Sequence, residues 1–92
     1  PYMQYKVAAI SPDTFDVIAR RREALQFRII MPEGAVKHIS LEDMRSGAMI
    51  KPTIHYENGA YHFEHSFATK GLHTVHLLFD DEYTISYSVT VK

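Results

Sequence analysis

Six histidines and four methionines, with no cysteine, set the metal chemistry open to this 92-residue chain. Imidazole and thioether are borderline and soft donors that suit copper better than Mg²⁺ or Ca²⁺. The lack of thiols removes disulfides, thiolate metal sites and cysteine nucleophiles. Two groups of these residues have spacings that would gather donors. Asn58-Gly59 lies between His55 and His62, and Asn-Gly is the favoured two-residue hairpin turn because both central positions of a type I′ turn need positive φ. That turn makes His55 face His62, Tyr56 face Tyr61 and Ile54 face Phe63. Opposed side chains on one face of a hairpin have Cβ atoms about 4.5–5.5 Å apart, so the two imidazoles can share a metal ion, with Glu57 and Glu64 on the same face to add a carboxylate. The second group is His65, His73, Met44 and Met49. In a sandwich whose strands run up and down, these four gather at one pole and form a copper-type site, Cu(I) in particular, which is the first choice for metal binding.

Each group also has a plain structural reading. Paired surface histidines are compatible with a solvated hairpin face, and the group at the pole with Met44 and Met49 as plugs for the end of the core while His65 and His73 satisfy backbone carbonyls. Asp80-Asp81-Glu82 lacks the spacing of a Ca²⁺ loop and reads as a solvated turn. Arg20-Arg21-Arg22 reads as a solvated corner, since three adjacent side chains point in different directions. No phosphate-binding glycine loop, Gly-x-Ser-x-Gly elbow or His-Glu-x-x-His pair is present, so nothing in the sequence supports catalysis.

The elements that must position these residues are strands. Tyr2 to Ile10 is extended and ends at Ser11-Pro12-Asp13. Thr14 to Ala19 is a short edge piece. Ala24 to Met31 alternates Leu25, Phe27, Ile29 and Met31 onto one face and stops at Pro32-Glu33-Gly34. Ala35 to Asp43 is weaker, with Ile39 and Leu41 inward, and Leu41 to Arg45 has a single helical turn as its alternative. Ala48 to Glu57 and Ala60 to Phe67 form the hairpin, with Ile54, Tyr56, Tyr61, Phe63 and Phe67 on the core side. His73, Val75, Leu77 and Phe79 then alternate inward, as do Tyr83, Ile85, Tyr87, Val89 and Val91. Matching those two sets needs an odd loop, so residues 80–82 form a three-residue tip that pairs Phe79 with Tyr83. The pattern is that of an all-β, immunoglobulin-like β-sandwich of about seven antiparallel strands, occupying residues 1–92 as a single domain.

Composition narrows the partners. A formal net charge of −1 leaves no broad footprint for nucleic acid, and no apolar run approaches the roughly 20 residues that span a bilayer. The first residue is proline, which suggests a trimmed or processed chain.

The stretch from Asn58 to His76, with Gly59 and Tyr61 leading into a connection that ends at Gly71 and a strand carrying Val75 and His76, resembles the YtkA-like and FixH-like bacterial domains. What the resemblance implies is a small extracytoplasmic β-sandwich, in the periplasm or at the cell surface, associated with copper handling or oxidase assembly. Glycine, tyrosine and valine at these places also suit other sandwiches, filamin repeats among them.

Two functional expectations follow. The first is a non-catalytic domain that binds or relays copper through His65, His73, Met44 and Met49, or through His55 and His62. The second is a structural or protein-interaction module of a larger protein, immunoglobulin-like or filamin-like. Its contact surface would be a sheet edge or the face carrying Leu72, His76 and Leu78, because two leucines interrupt the polar side of an otherwise clean strand.

Overall fold

A computed structural model describes residues 5–92. Nine strands appear among them: β1 (Ala9–Ser11), β2 (Asp16–Ala19), β3 (Leu25–Ile30), β4 (Ile39–Asp43), β5 (Ala48–Ile50), β6 (His55–Glu57), β7 (Ala60–His65), β8 (Gly71–Phe79) and β9 (Tyr83–Val91). No α-helix occurs among the described residues, and Leu41 to Asp43 is strand. Two sheets face each other, one in the order β1-β3-β7-β6 and the other in the order β2-β9-β8-β4-β5. The expected sandwich is present, with two corrections.

The first concerns direction: β2 runs parallel to β9, Val17 opposite Val89 and Ala19 opposite Val91, while every other pairing is antiparallel. The second concerns Ala48 to Glu57, which is two strands in different sheets. Proline donates no ladder hydrogen bond, and the chain leaves strand pairing across Lys51-Pro52-Thr53-Ile54, where it crosses between the sheets. Of the expected first strand, Tyr2, Met3 and Gln4 lie outside the described residues, and pairing begins at Ala9.

Both hairpin registers are as the turn chemistry requires. His55 opposes His62 and Tyr56 opposes Tyr61, with φ of 51° at Asn58 and 78° at Gly59. Phe79 opposes Tyr83. The alternating inward sets meet between the sheets, where Phe27 stacks on Phe63 at 5.1 Å and meets the edge of Tyr87 at 5.6 Å. Phe27, Ile29, Leu41, Val75, Leu77, Phe79, Tyr87 and Val89 are at most 1% exposed. Each such side chain contributes on the order of 1.5–3 kcal/mol by leaving water, so this layer holds the sheets together.

Candidate functional site

Alternation carries Ile39, Leu41 and Asp43 of β4 inward, as it does His73, Val75, Leu77 and Phe79 of β8. Because Asp43 pairs with Val75, His73 is its diagonal neighbour on the same inner face. The result is a buried polar cluster at one pole. His73 is 2% exposed and Asp43 7%. The His73 Nδ1 lies 2.9 Å from Asp43 Oδ2, and its Nε2 lies 2.8 Å from the main-chain oxygen of Thr69. A carbonyl oxygen only accepts, so Nε2 carries the proton that it donates to Thr69. One further proton lies between Nδ1 and the carboxylate, which leaves the pair neutral overall. The other oxygen of Asp43 accepts the Arg45 N–H at 3.0 Å, while the Arg45 guanidinium donates to the main-chain oxygen of Lys70. No buried side-chain nitrogen or oxygen among the described residues lacks a partner.

The Thr69 hydroxyl is 3.4 Å from His73 Nε2, so the order carboxylate, imidazole, hydroxyl is reproduced. A general base needs a free lone pair at that nitrogen, and here the nitrogen is a donor to a carbonyl. The cluster ties the connection between β7 and β8 to the end of β4. It does not activate a nucleophile. For the same reason His73 has no ring nitrogen free for a metal.

His65 lines the same open cleft of about 280 Å³, together with Ser46, Ile50, Phe67, Thr69 and His73. The Phe67 ring touches both imidazoles, His65 at 4.7 Å and His73 at 4.9 Å. Burial pulls the His65 imidazole below its usual value, opposed by the Asp43 carboxylate and assisted by His73. Met49 opposes Glu42, so it points to the outer side of the sheet, away from His73, and is 52% exposed. Met44 follows the inward Asp43 and is 47% exposed. The structure thus brings His65, His73 and Asp43 together and leaves Met44 and Met49 out of the cluster. The expected four-donor arrangement is not assembled, because strand parity sends Met49 outward and Met44, in the turn that follows β4, is exposed.

On the other sheet, His55 and His62 stack across the hairpin, ring centroids 5.2 Å apart and planes 19° from parallel. Both Nε2 atoms are directed at Glu57, that of His55 at 3.8 Å from Oε1 and that of His62 at 3.2 Å from the main-chain oxygen. Among the described residues no three His, Asp or Glu side chains are already gathered at ligand distances.

The outer faces of the two sheets differ. The four-stranded sheet turns Gln26, Arg28, His55, Glu57, His62 and Glu64 outward. The strands of the five-stranded sheet turn out only Asp16, Glu42 and His76 as titratable groups, among hydroxyls and large apolar side chains. Ile18 pairs with Thr90, and Thr90 with Leu72, so one cross-strand row carries Ile18 at 68% and Leu72 at 62% exposure. His76 faces Glu42 at 3.8 Å, and Leu78 is half-buried. Sequence reasoning found Leu72, His76 and Leu78. It missed Ile18, whose place beside them depends on the parallel pairing of β2.

It also missed Asp43, and it read Asp80 only as part of a solvated turn. Asp80 Oδ1 accepts the main-chain N–H groups of Lys37 at 2.9 Å and His38 at 2.8 Å, so part of the acidic tip is a tie to the β3–β4 connection. The arginine corner is exposed, with Arg20 and Glu23 3.9 Å apart.

No protein-family model matches the chain, and no curated protein sequence matches it. Solved structures do. A filamin domain of Lin-41 is 14% identical with a TM-score of 0.59, the match covering 88% of this chain and 89% of that one. Domains 4 and 5 of the S-layer protein SbsC are 12% identical with a TM-score of 0.57, the match covering 92% of this chain and 51% of that two-domain chain. At such identities the likeness is one of fold, and with the two facing sheets it shows an immunoglobulin-like β-sandwich.

Proposed function

We propose that this domain is a non-catalytic structural and interaction module whose contact surface is the outer face of the five-stranded sheet, and that the occupant is a protein surface with an apolar centre. The observation that carries this reading is the row Ile18, Thr90, Leu72. Its two large aliphatic side chains stand more than 60% exposed on a sheet face whose strands carry no lysine or arginine. Exposed sheet faces of isolated domains are ordinarily dressed with charge, as the opposite sheet here is. Contact cores of protein interfaces are depleted of charge in the same way. The two remaining carboxylates, Asp16 and Glu42, favour a partner that is neutral or basic at its rim. The filamin and S-layer likenesses support a module of this kind in general.

The test is residue-specific crosslinking. A photoreactive amino acid placed at Leu72 in the native polypeptide should crosslink to a protein surface, and Ile18→Asp should abolish the product. The same group at Arg28, on the charged sheet, should give none. Equal products at Leu72 and Arg28, or a Leu72 product indifferent to Ile18→Asp, would contradict the reading.

A further inference from the structure

We infer that His55, His62 and Glu57 form a surface site for a borderline divalent transition-metal ion such as Zn²⁺, Cu²⁺ or Ni²⁺, and that the ion staples β6 onto β7. This stands apart from the docking face, which lies on the other sheet.

Three observations converge. First, the hairpin register places the two imidazoles opposite each other, and the rings stack near-parallel with centroids 5.2 Å apart. Second, both Nε2 atoms approach a single residue: Glu57 presents its carboxylate at 3.8 Å to one and its main-chain oxygen at 3.2 Å to the other. Third, two of the three groups have room to move, since the side chains of His55 and Glu57 are 67% and 63% exposed, while the His62 ring is half-buried and held in place. Metal–nitrogen bonds of about 2.0–2.1 Å require two ligating nitrogens roughly 3 Å apart. Rotation of the exposed His55 ring and the Glu57 carboxylate about their own side-chain bonds, toward His62, supplies that approach without a backbone change. As the metal binds, the neutral His62 ring changes tautomer, its proton passing from Nε2 to Nδ1 by exchange with solvent, so that Nε2 offers a lone pair.

The donor set decides the metal. Two imidazoles and one carboxylate, with water filling the remaining positions, favour Zn²⁺, Cu²⁺ or Ni²⁺ over Ca²⁺ and Mg²⁺, and without thioether they do not favour Cu(I). Glu64 is the weaker candidate for the carboxylate, since Gln26 approaches it at 3.5 Å. The mechanical consequence follows from topology. β6 is a three-residue edge strand held on one side only, so a bridge from His55 to His62 adds a tie at an edge of the sheet.

The experiment is calorimetric titration of the 92-residue protein with ZnCl₂ and with NiCl₂, alongside ¹H–¹⁵N spectra. One ion should bind saturably, with shift changes centred on residues 55–64. His55→Asn and His62→Asn should each weaken binding about tenfold or more, and Glu57→Gln by a smaller factor. Met44→Ala and Met49→Ala should leave affinity within about twofold, as surface changes away from the donor set. Saturating Zn²⁺ should raise Tm in the wild type and not in His55→Asn. Absence of saturable binding up to millimolar Zn²⁺, shift changes centred elsewhere, or undiminished affinity in the folded His55→Asn/His62→Asn double variant would overturn the assignment. The wild-type spectra decide the location even where a variant folds poorly.

Discussion

Removing the Asp43 carboxylate strands a buried imidazole. His73 is 2% exposed and its Nδ1 has Asp43 as its hydrogen-bond partner, so Asp43→Ala leaves a buried polar atom unpaired and frees the Arg45 N–H as well. Breaking one half of a buried charged pair costs about 3–5 kcal/mol, and leaving a neutral polar group unsatisfied about 1–3 kcal/mol. Two features place this site in the upper part of the lower range: the Thr69 carbonyl still holds Nε2, and the adjoining cleft admits solvent toward the gap left by the carboxylate. The expected loss is about 2–3 kcal/mol, which for a domain of this size lowers Tm by roughly 10–20 °C. Urea unfolding measures it, and an unchanged m-value checks that the denatured state is unaffected. Replacing both partners, Asp43→Leu with His73→Leu, removes the polar groups together and should recover at least about 1 kcal/mol relative to Asp43→Ala, because the orphaned imidazole is gone. An Asp43→Ala cost below about 1 kcal/mol, or strict additivity among Asp43→Leu, His73→Leu and their double variant, would refute the hydrogen-bond assignment made for this pole.

Further outcomes follow from other parts of the fold. Gly71 has φ of 114° and a Cβ there would meet the Arg45 guanidinium, so Gly71→Ala should cost about 1–3 kcal/mol in urea unfolding, and adding Arg45→Ala should recover the steric part and leave the backbone part. Burial lowers the His65 pKa from its usual 6.5, so the folded protein binds fewer protons than the unfolded chain below that value. Stability should therefore fall as pH drops below 6.5, with the slope reduced in His65→Gln, as a pH series of unfolding curves would show. Burial, with Asp13 adding to it, pushes the Tyr87 phenol up to about 12, so its contribution is intact below pH 10 and is lost as pH rises from 10 toward 12. Tyr87→Phe should remove that alkaline slope. It should also cost about 1 kcal/mol at neutral pH through loss of the 2.6 Å hydrogen bond to the Pro12 carbonyl.

What the sequence made legible was local. Asn58-Gly59 dictates a turn geometry, and the turn dictates which residues oppose one another, so the His55–His62 pairing follows from residues 55–62 alone. Strict alternation in residues 72–79 and 83–91 fixed their inward sets and their register in the same way. Quantities that depend on strands far apart in the chain were not legible. Alternation gave the inward parity of His73 but not its partner 30 residues away, although Asp43 shares that parity with Ile39 and Leu41. An inward histidine needs a buried partner, and an inward aspartate on a neighbouring strand was the available signal. Pro52 carried a second one, since a proline inside an apparent strand argues for a break, and the chain does change sheets there. The gathering of His65, His73, Met44 and Met49 was not found for a related reason: loop proximity put them at one pole, but parity sends Met49 to the outer side and Met44 stands exposed in the turn after β4. The exposed row on the five-stranded sheet needed the parallel pairing of β2 with β9, which no local spacing encodes.

The central claim is that the outer face of the five-stranded sheet is covered when the protein is in its native assembly. Hydroxyl-radical footprinting compares the purified 92-residue chain with the same residues in their native assembly. Ile18 and Leu72 should react readily in the purified chain and be protected severalfold in the assembly, while His55 and His62 on the opposite sheet should react alike in both. Equal reactivity of Ile18 and Leu72 in the two samples, or protection confined to the histidine face, would contradict it.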